Sequence, residues 1–239
     1  MTHVKNVESF TRLIGFCAGY GGKYNPGSPN LRMDSLTAQL EAAKLAMEQV
    51  KVTRSLFDLG INTRRQRFET LPAVVSKILL TITSSGAKRE LVEDARYLVR
   101  QINGYSLTNR EPVASAKTEE AKTRRSVLQL AYVSKADWFG KLVQVAEIEP
   151  SYNPNEEMLV KPALLAKAAE LNASISAVNQ AQVMYSNALI ARNKALYSNE
   201  HSLCNLMRAA RQYIGAVYGK NSAEYAQVKS LSFTKPGNA

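Results

Sequence analysis

The fold is decided by residues 36–68, LTAQLEAAKLAMEQVKVTRSLFDLGINTRRQRF. One set of positions in this stretch recurs at alternating intervals of four and three residues, a 3.5-residue period that is typical of the packed face of a long helix. This face, called the seam below, consists of Leu36, Leu40, Ala43, Met47, Val50, Arg54, Phe57, Ile61, Arg64 and Phe68. At 1.5 Å per residue, such a helix would be about 50 Å long.

The seam recurs 128 residues later in the chain. Its second copy consists of Leu164, Ala168, Leu171, Ile175, Val178, Gln182, Tyr185, Leu189, Arg192 and Leu196. The polar positions recur with it, since Arg54 corresponds to Gln182 and Arg64 to Arg192. The sequence therefore predicts two long helices with the same buried face.

A Tyr-Asn-Pro tripeptide precedes each long helix, as Tyr24, Asn25 and Pro26 in the first copy and as Tyr152, Asn153 and Pro154 in the second. The residue before a proline is pushed out of the helical region of backbone conformation, so Asn-Pro ends a helix. We expect the same chain corner twice, with the tyrosine ring packed over it.

Matching segments surround each corner and long helix. An amphipathic helix comes before the corner, with Phe10 and Cys17 on the packed face of the first copy and Trp138, Leu142 and Val145 on that of the second. A second helix that ends at Gly86 or Gly219 follows, and then a short third helix. The predicted fold is all-α: an elongated helical bundle of two pseudo-symmetric repeats, at 1–104 and 126–239, joined by a polar, basic linker at 105–125.

Composition limits the class of protein. Hydrophobic residues make up 45% of the chain, as in ordinary globular proteins, and the net charge of +11 favours anionic partners. The isolated cysteines, Cys17 and Cys204, fit buried apolar positions in a reducing compartment. Charges near the N-terminus leave no signal-peptide core, and the longest apolar run, 71–82, is too short to span a bilayer. We expect a cytoplasmic protein, or one exported without a cleaved N-terminal signal, and the sequence disfavours insertion into a membrane.

The sequence contains no convincing catalytic or metal-binding pattern. The glycine-rich segment before Tyr24 has Cys17 where a phosphate-binding loop needs its first glycine, and it lacks the Ser or Thr after Lys23. The two histidines, His3 and His201, have no ligands or catalytic partners at suitable spacing. We therefore predict a non-enzymatic protein with no catalytic residues, no metal and no cofactor.

The arginines allow two interpretations. Arg64 and Arg192 lie near the ends of their long helices, where they could cover the seam and bind the last carbonyls, or could hold an anionic partner. The candidate contacts to such a partner are Arg64, Arg65, Arg67, Arg124, Arg125 and Arg192. Acidic residues are interleaved with the basic ones, which favours a solvated helical face over a nucleic-acid interface.

Several stretches resemble uncharacterised all-helical tandem-repeat proteins of bacteria. They include YNPNEE (152–157), ARNKALYS (191–198) and ARQYIGAVYGKNSAEYAQVKSLSF (210–233), together with RRQRFETLPAVVSKI in the first half. The resemblance implies an all-α repeat protein and brings no activity, cofactor or site residue with it.

Three functions remain open on the sequence alone. The first is a structural or assembly protein that pairs with copies of itself or with partner helices. The second is an accessory protein that binds nucleic acid non-specifically through its basic first half. The third is a helical pore-former, which would use 71–83 as its membrane element; Arg208 and Arg211 in the matching helix argue against it.

Overall fold

The computed structural model of the chain describes residues 2–104 and 119–234, without the side chains of 119–128. These residues form eight α-helices and no strand, which confirms the all-α prediction. The helices are α1 (Thr2–Gly19), α2 (Met33–Glu69), α3 (Leu71–Ser84), α4 (Arg89–Gly104), α5 (Glu119–Ile148), α6 (Lys161–Asn193), α7 (Leu203–Tyr218) and α8 (Ala223–Lys229). Short 3₁₀ turns at Gly21–Lys23 and Pro29–Leu31 lead into α2, and a π-helical turn at Lys194–Ser198 follows α6.

The two long helices are present where the sequence predicts them. Helix α2 has 37 residues and helix α6 has 33. Every seam residue of α2 is buried or half-buried, and so is every seam residue of α6 except Gln182, which is exposed. The 3.5-residue period thus marks the packed side of both helices.

The chain divides into two compact units. The first unit comprises Met1–Leu56 and Gln182–Ala239, and the second comprises Phe57–Ala181. The first unit therefore contains α1, α7 and α8, and the second contains α3, α4 and α5; α2 and α6 each contribute one part to each unit. The units thus take helices from both sides of the predicted linker. Residues 119–125 of that linker lie in α5, and 105–118 lie outside the described residues.

The core of the first unit joins α1 to α7. Phe10 and Leu13 of α1 are fully buried with Ile214 of α7 and Leu36 of α2. The parts of α2 and α6 in this unit run antiparallel, because Gln39 Nε2 donates to the Ala195 carbonyl at 3.3 Å while the Arg54 guanidinium lies 5.5 Å from the centre of the Tyr185 ring. Phe233, beyond α8, is half-buried against this core.

The core of the second unit joins α3, α4 and α5. Helix α5 buries Phe139, Leu142 and Ala146, whereas Trp138 and Val145 are only partly buried at the edge of the core. All three predicted residues of α5 thus pack on this core, with Phe139 and Ala146 buried more deeply than Trp138 and Val145. The parts of α2 and α6 in this unit are also antiparallel, since Gly60 lies against Val178 and Arg67 pairs with Glu170.

Helices α3 and α7 bury the same pattern of positions. Intervals of four, three and four residues separate Leu71, Val75, Ile78 and Ile82 in α3, and likewise Leu203, Met207, Ala210 and Ile214 in α7. The chain leaves both helices through a glycine with positive φ, 80° at Gly86 and 88° at Gly219. Because a side chain with a Cβ atom is strained in this conformation, glycine is favoured at both positions.

None of the helices in the described residues is both long enough and apolar enough to cross a membrane.

Candidate functional site

The Tyr-Asn-Pro corners have the same hydrogen bond in both units. The Tyr24 hydroxyl donates to the Leu31 carbonyl at 2.9 Å, and the Tyr152 hydroxyl donates to the Leu159 carbonyl at 2.9 Å. Both tyrosines are buried, with exposed fractions of 7% and 2%. In each corner the tyrosine hydroxyl bridges the loop that leads into the long helix. The asparagines, Asn25 and Asn153, are exposed.

The first corner lies in a group of tyrosines. The rings of Tyr213 and Tyr24 pack edge to face, with their centres 5.4 Å apart. The backbone N–H of Asn25 donates to the Tyr213 hydroxyl at 3.2 Å. Burial raises the pKa of the Cys17 thiol to about 11, although its hydrogen bond with Tyr24 opposes this shift. Burial also raises the pKa of Tyr24, and it raises that of Tyr152 to about 12. These groups are neutral at physiological pH and stabilise the fold.

Arg64 lies inside the second unit and not on a surface open to an anion. Only 6% of the residue is exposed, and its guanidinium lies 4.0 Å from the centre of the Tyr132 ring. One nitrogen donates to the Gln129 side chain, whose amide nitrogen donates to Asn179 at 2.7 Å, while the buried Nε has no hydrogen-bond partner among the described residues. Burial lowers the pKa of Arg64. The position supports the structural interpretation of this residue, with an aromatic ring in place of helix-end carbonyls.

The other predicted anion contacts differ in their surroundings. Arg67 forms an ion pair with Glu170, which also accepts from Lys167 at 2.8 Å; this hydrogen bond and the nearby cations lower the Glu170 pKa. Arg192, in the first unit, donates to the Asn193 side chain at 2.9 and 3.2 Å. Arg65 is exposed, and it too has an interaction partner. The side chains of Arg124 and Arg125 lie outside the described residues.

The groups that could bind a metal do not form a cluster in the described parts of the chain. No three His, Cys, Asp or Glu side chains there come together as metal ligands. Both cysteines are buried, and neither forms a disulfide with the other. His3 Nδ1 lies 2.7 Å from the Tyr197 hydroxyl, which also accepts from Asn6 at 3.1 Å.

Asn6 fixes the segment that follows α8 to α1, a contact that the sequence does not reveal. Its amide nitrogen donates to the Thr234 carbonyl at 2.9 Å, and its carbonyl oxygen accepts from the Thr234 amide at 3.2 Å. Asn6 is 1% exposed, so both polar ends of a buried side chain are satisfied by the backbone of one residue. A buried asparagine on a helix gives no indication of its partner in the sequence.

A second set of positions on α2 faces the solvent with several apolar side chains. The set, called the outer stripe below, consists of Ala42, Leu45, Gln49, Val52 and Leu56, all exposed and all in the first unit. Leu45 is 62% exposed, and Val52 and Leu56 are each 45% exposed. Leu45 and Val52 each follow a seam residue by five positions, about 140° around the helix.

The outer stripe is a candidate surface that the seam pattern does not predict. Its members alternate three and four residues apart, so the signal was present as a second heptad pattern on the same helix. A helix with apolar residues on two faces has more apolar surface than its own core needs, and a contiguous exposed apolar patch indicates an interaction site.

Comparison with known proteins gives no match: no family model, no curated protein and no solved structure matches the chain. The resemblance to helical bacterial repeat proteins therefore stays a prediction.

Proposed function

We propose that the protein is a non-enzymatic structural or assembly protein that associates with copies of itself through the faces of its long helices. The outer stripe of α2 carries this proposal, because Leu45, Val52 and Leu56 keep 45–62% of their surface in water. Isolated exposed apolar residues are common on soluble proteins, but three on one helical stripe are typical of a surface that a partner covers.

We further propose that the chain contains two copies of one helical module that exchange their halves. Each module is a helix, a Tyr-Asn-Pro corner, a long helix, a second helix and a short third helix. The identical corner hydrogen bonds, the matched buried positions of α3 and α7 and the two positive-φ glycines support the duplication. The opening half of each module packs with the closing half of the other, since each compact unit contains one of each.

Exchange of halves gives the chain a means of assembly. Each unit buries its apolar faces only when the two modules are both present, so the modules cannot separate without exposing both cores. Within each unit, the faces of the long helices that stay exposed are free to meet other copies. The elongated shape and the coiled-coil character expected from the sequence remain part of this proposal.

Sedimentation equilibrium over a wide range of protein concentration tests the function. Self-association predicts a mean mass that rises above the 26.4 kDa of one chain as the concentration increases. A mass that stays at 26.4 kDa up to about 200 µM would overturn the proposal, because an assembly protein has to associate well below that concentration.

Nucleic-acid binding is a second candidate, favoured by one feature of α4. Tyr97 is 55% exposed between two exposed arginines, Arg96 and Arg100, an arrangement suited to stacking on a base beside a phosphate. Glu93 lies on the same helix and pairs with Arg89 at 3.0 Å, which reduces the positive potential there. Binding of a labelled single-stranded oligonucleotide that persists at moderate salt would support this candidate, and binding lost at moderate salt would indicate only non-specific attraction.

A further inference from the structure

The chain segment that follows α8 is held on the first unit through its backbone. Residues 231–234 of this segment form neither helix nor strand. Asn6 of α1 donates to the Thr234 carbonyl at 2.9 Å and accepts from the Thr234 N–H at 3.2 Å. Arg211 of α7 donates to the Leu231 carbonyl. Because these hydrogen bonds end on backbone groups, they do not depend on which side chains the segment carries.

The side chains of the segment alternate between the core and the solvent. Leu231 is 3% exposed and Phe233 is half-buried, and both pack on the core of the first unit. Ser232 and Thr234 are exposed. A period of two residues is that of an extended chain. Main-chain hydrogen bonds together with contacts to alternate side chains are a recurring mode of peptide recognition.

Asn6 is oriented by contacts that do not involve the segment. Its amide nitrogen also donates to the Tyr197 hydroxyl at 3.1 Å, and this hydroxyl lies 2.7 Å from His3 Nδ1. Tyr197 is itself buried. The side-chain amide of Asn6 is therefore already directed for pairing with a backbone N–H and C=O, which lowers the free-energy cost of binding a peptide there.

The corresponding helices of the second unit are built differently. Lys135 of α5 lies at the position that corresponds to Asn6, 129 residues later, and both are buried. A lysine side chain donates but does not accept, so Lys135 cannot pair with both backbone groups of one residue. Helix α4, which corresponds to α8, continues for 16 residues and buries Ile102 near its end, whereas α8 has seven residues. The module itself thus does not require the arrangement around Asn6.

The segment leaves one donor next to it unused. The buried Nε of Arg211 has no hydrogen-bond partner among the described residues. An unpaired buried donor costs about 1–3 kcal/mol, so a ligand that brings an acceptor to this nitrogen binds better than the segment does. An imperfect fit of this kind is expected of a ligand that another peptide can displace.

We propose that Asn6 and Arg211 form a peptide-recognition site on the first unit, and that residues 231–234 are its resident, displaceable ligand. The external ligand is an extended peptide of a partner protein with large apolar residues two positions apart, as Leu231 and Phe233 are. Its backbone pairs with Asn6 and Arg211, and its apolar side chains take the places of those two residues. The site is separate from the outer stripe, and the inference does not rest on the proposed self-association.

A labelled peptide, KSLSFT, with the sequence of residues 229–234, tests the site in the 239-residue chain. With Leu231→Ser and Phe233→Ser together, the segment loses its apolar anchors, so the peptide should bind this double variant with a Kd on the order of 100 µM in fluorescence anisotropy. The wild type should bind at least about 10-fold more weakly, because its tethered segment competes at an effective concentration of about 1 mM. A chain with Leu45→Ser and Val52→Ser, both exposed and outside the site, is the matched control and should bind as weakly as the wild type.

Two further changes show whether the contacts of the site carry the binding. Asn6→Ala, added to the double variant, removes two hydrogen bonds to the peptide backbone and should weaken binding about 10-fold or more. The peptide KSSSST, which lacks the apolar residues, should not bind measurably. Equal affinities of the double variant and the wild type, binding that Asn6→Ala leaves unchanged, or no binding to a double variant with the native circular dichroism spectrum would each overturn the proposal.

Hydrogen exchange tests the same inference in the unaltered chain. A displaceable segment opens while the rest of its unit stays folded. The Thr234 amide should therefore exchange at least about 100-fold faster, as followed by NMR, than the amides of Met207 and Ala210 in the middle of α7. If the Thr234 amide exchanged as slowly as those two, the segment would open only when the whole unit unfolds, and it would be part of the core and not a ligand.

Discussion

The two corner tyrosines provide the sharpest test of the repeated module. Replacement of Tyr24 or Tyr152 by phenylalanine removes one hydroxyl and leaves the ring in place. In each case the lost hydrogen bond is 2.9 Å long and ends on a backbone carbonyl inside a buried corner. A hydrogen bond of this kind contributes about 1 kcal/mol to stability, and a buried carbonyl left without a partner adds to the loss.

We therefore expect each variant to lower the free energy of unfolding by about 1–2 kcal/mol. For a chain of this size, that corresponds to a fall in Tm of roughly 2–8 °C. The double variant should lose the sum of the two effects, because the corners belong to different units and share no partner. Urea unfolding followed by circular dichroism gives the free energies, and a thermal scan gives Tm.

Tyr97→Phe is the control for the loss of a tyrosine hydroxyl, since Tyr97 is 55% exposed and its hydroxyl can bond to water. This variant should change the free energy of unfolding by less than about 0.5 kcal/mol. If Tyr24→Phe and Tyr152→Phe were as mild as Tyr97→Phe, the corner hydrogen bonds would not hold the fold. If only one of them were destabilising, the two corners would not be equivalent parts of one module.

Three further predictions concern alkaline pH, the linker and the buried arginine. Burial raises the Cys17 pKa from 9.0 to about 11 and the Tyr152 pKa from 10.0 to about 12. The neutral forms of both groups therefore stabilise the fold below pH 9. This contribution to the free energy of unfolding is lost as pH rises from about 9 to 12. Urea unfolding at successive pH values should show this decline, and Cys17→Ala should flatten its lower part; a flat profile for the wild type would contradict the assignment. After cleavage at a protease site placed within 105–118, the two fragments should still co-elute from a gel-filtration column in native buffer, because each compact unit contains helices from both fragments. Separate elution of the fragments would rule out the exchange of halves. Arg64→Met should change the free energy of unfolding by no more than about 1 kcal/mol, because an apolar side chain avoids the desolvation of a buried cation. If urea unfolding showed a loss of several kcal/mol, the contacts of Arg64 with Tyr132 and Gln129 would outweigh the cost of desolvating the guanidinium.

Local patterns predicted the helices and the corners because they depend on neighbouring residues. The spacing of Leu36, Leu40 and Ala43 indicated a long helix and its buried side, and Tyr-Asn-Pro indicated where the chain turns. The most deeply buried residues of α5 include Phe139 and Ala146, one position beyond the predicted Trp138 and Val145, because the distance from Phe139 to Tyr152 is one residue shorter than that from Phe10 to Tyr24. A 128-residue offset that holds for the corner does not hold for the helix before it.

The sequence by itself determined that this chain is helical, where its two long helices lie and which of their faces are buried, because helix periodicity records the contrast between apolar and polar environment at each position. The tertiary structure decided which halves pack together and what covers each buried group. A heptad pattern is the same whether a face meets its own module or the other one, and Arg64 has the sequence signature of a helix-end cation whether it meets solvent or the Tyr132 ring. Those choices depend on contacts between residues far apart in the chain, as in the first unit, where Gln39 meets Ala195 across 156 positions.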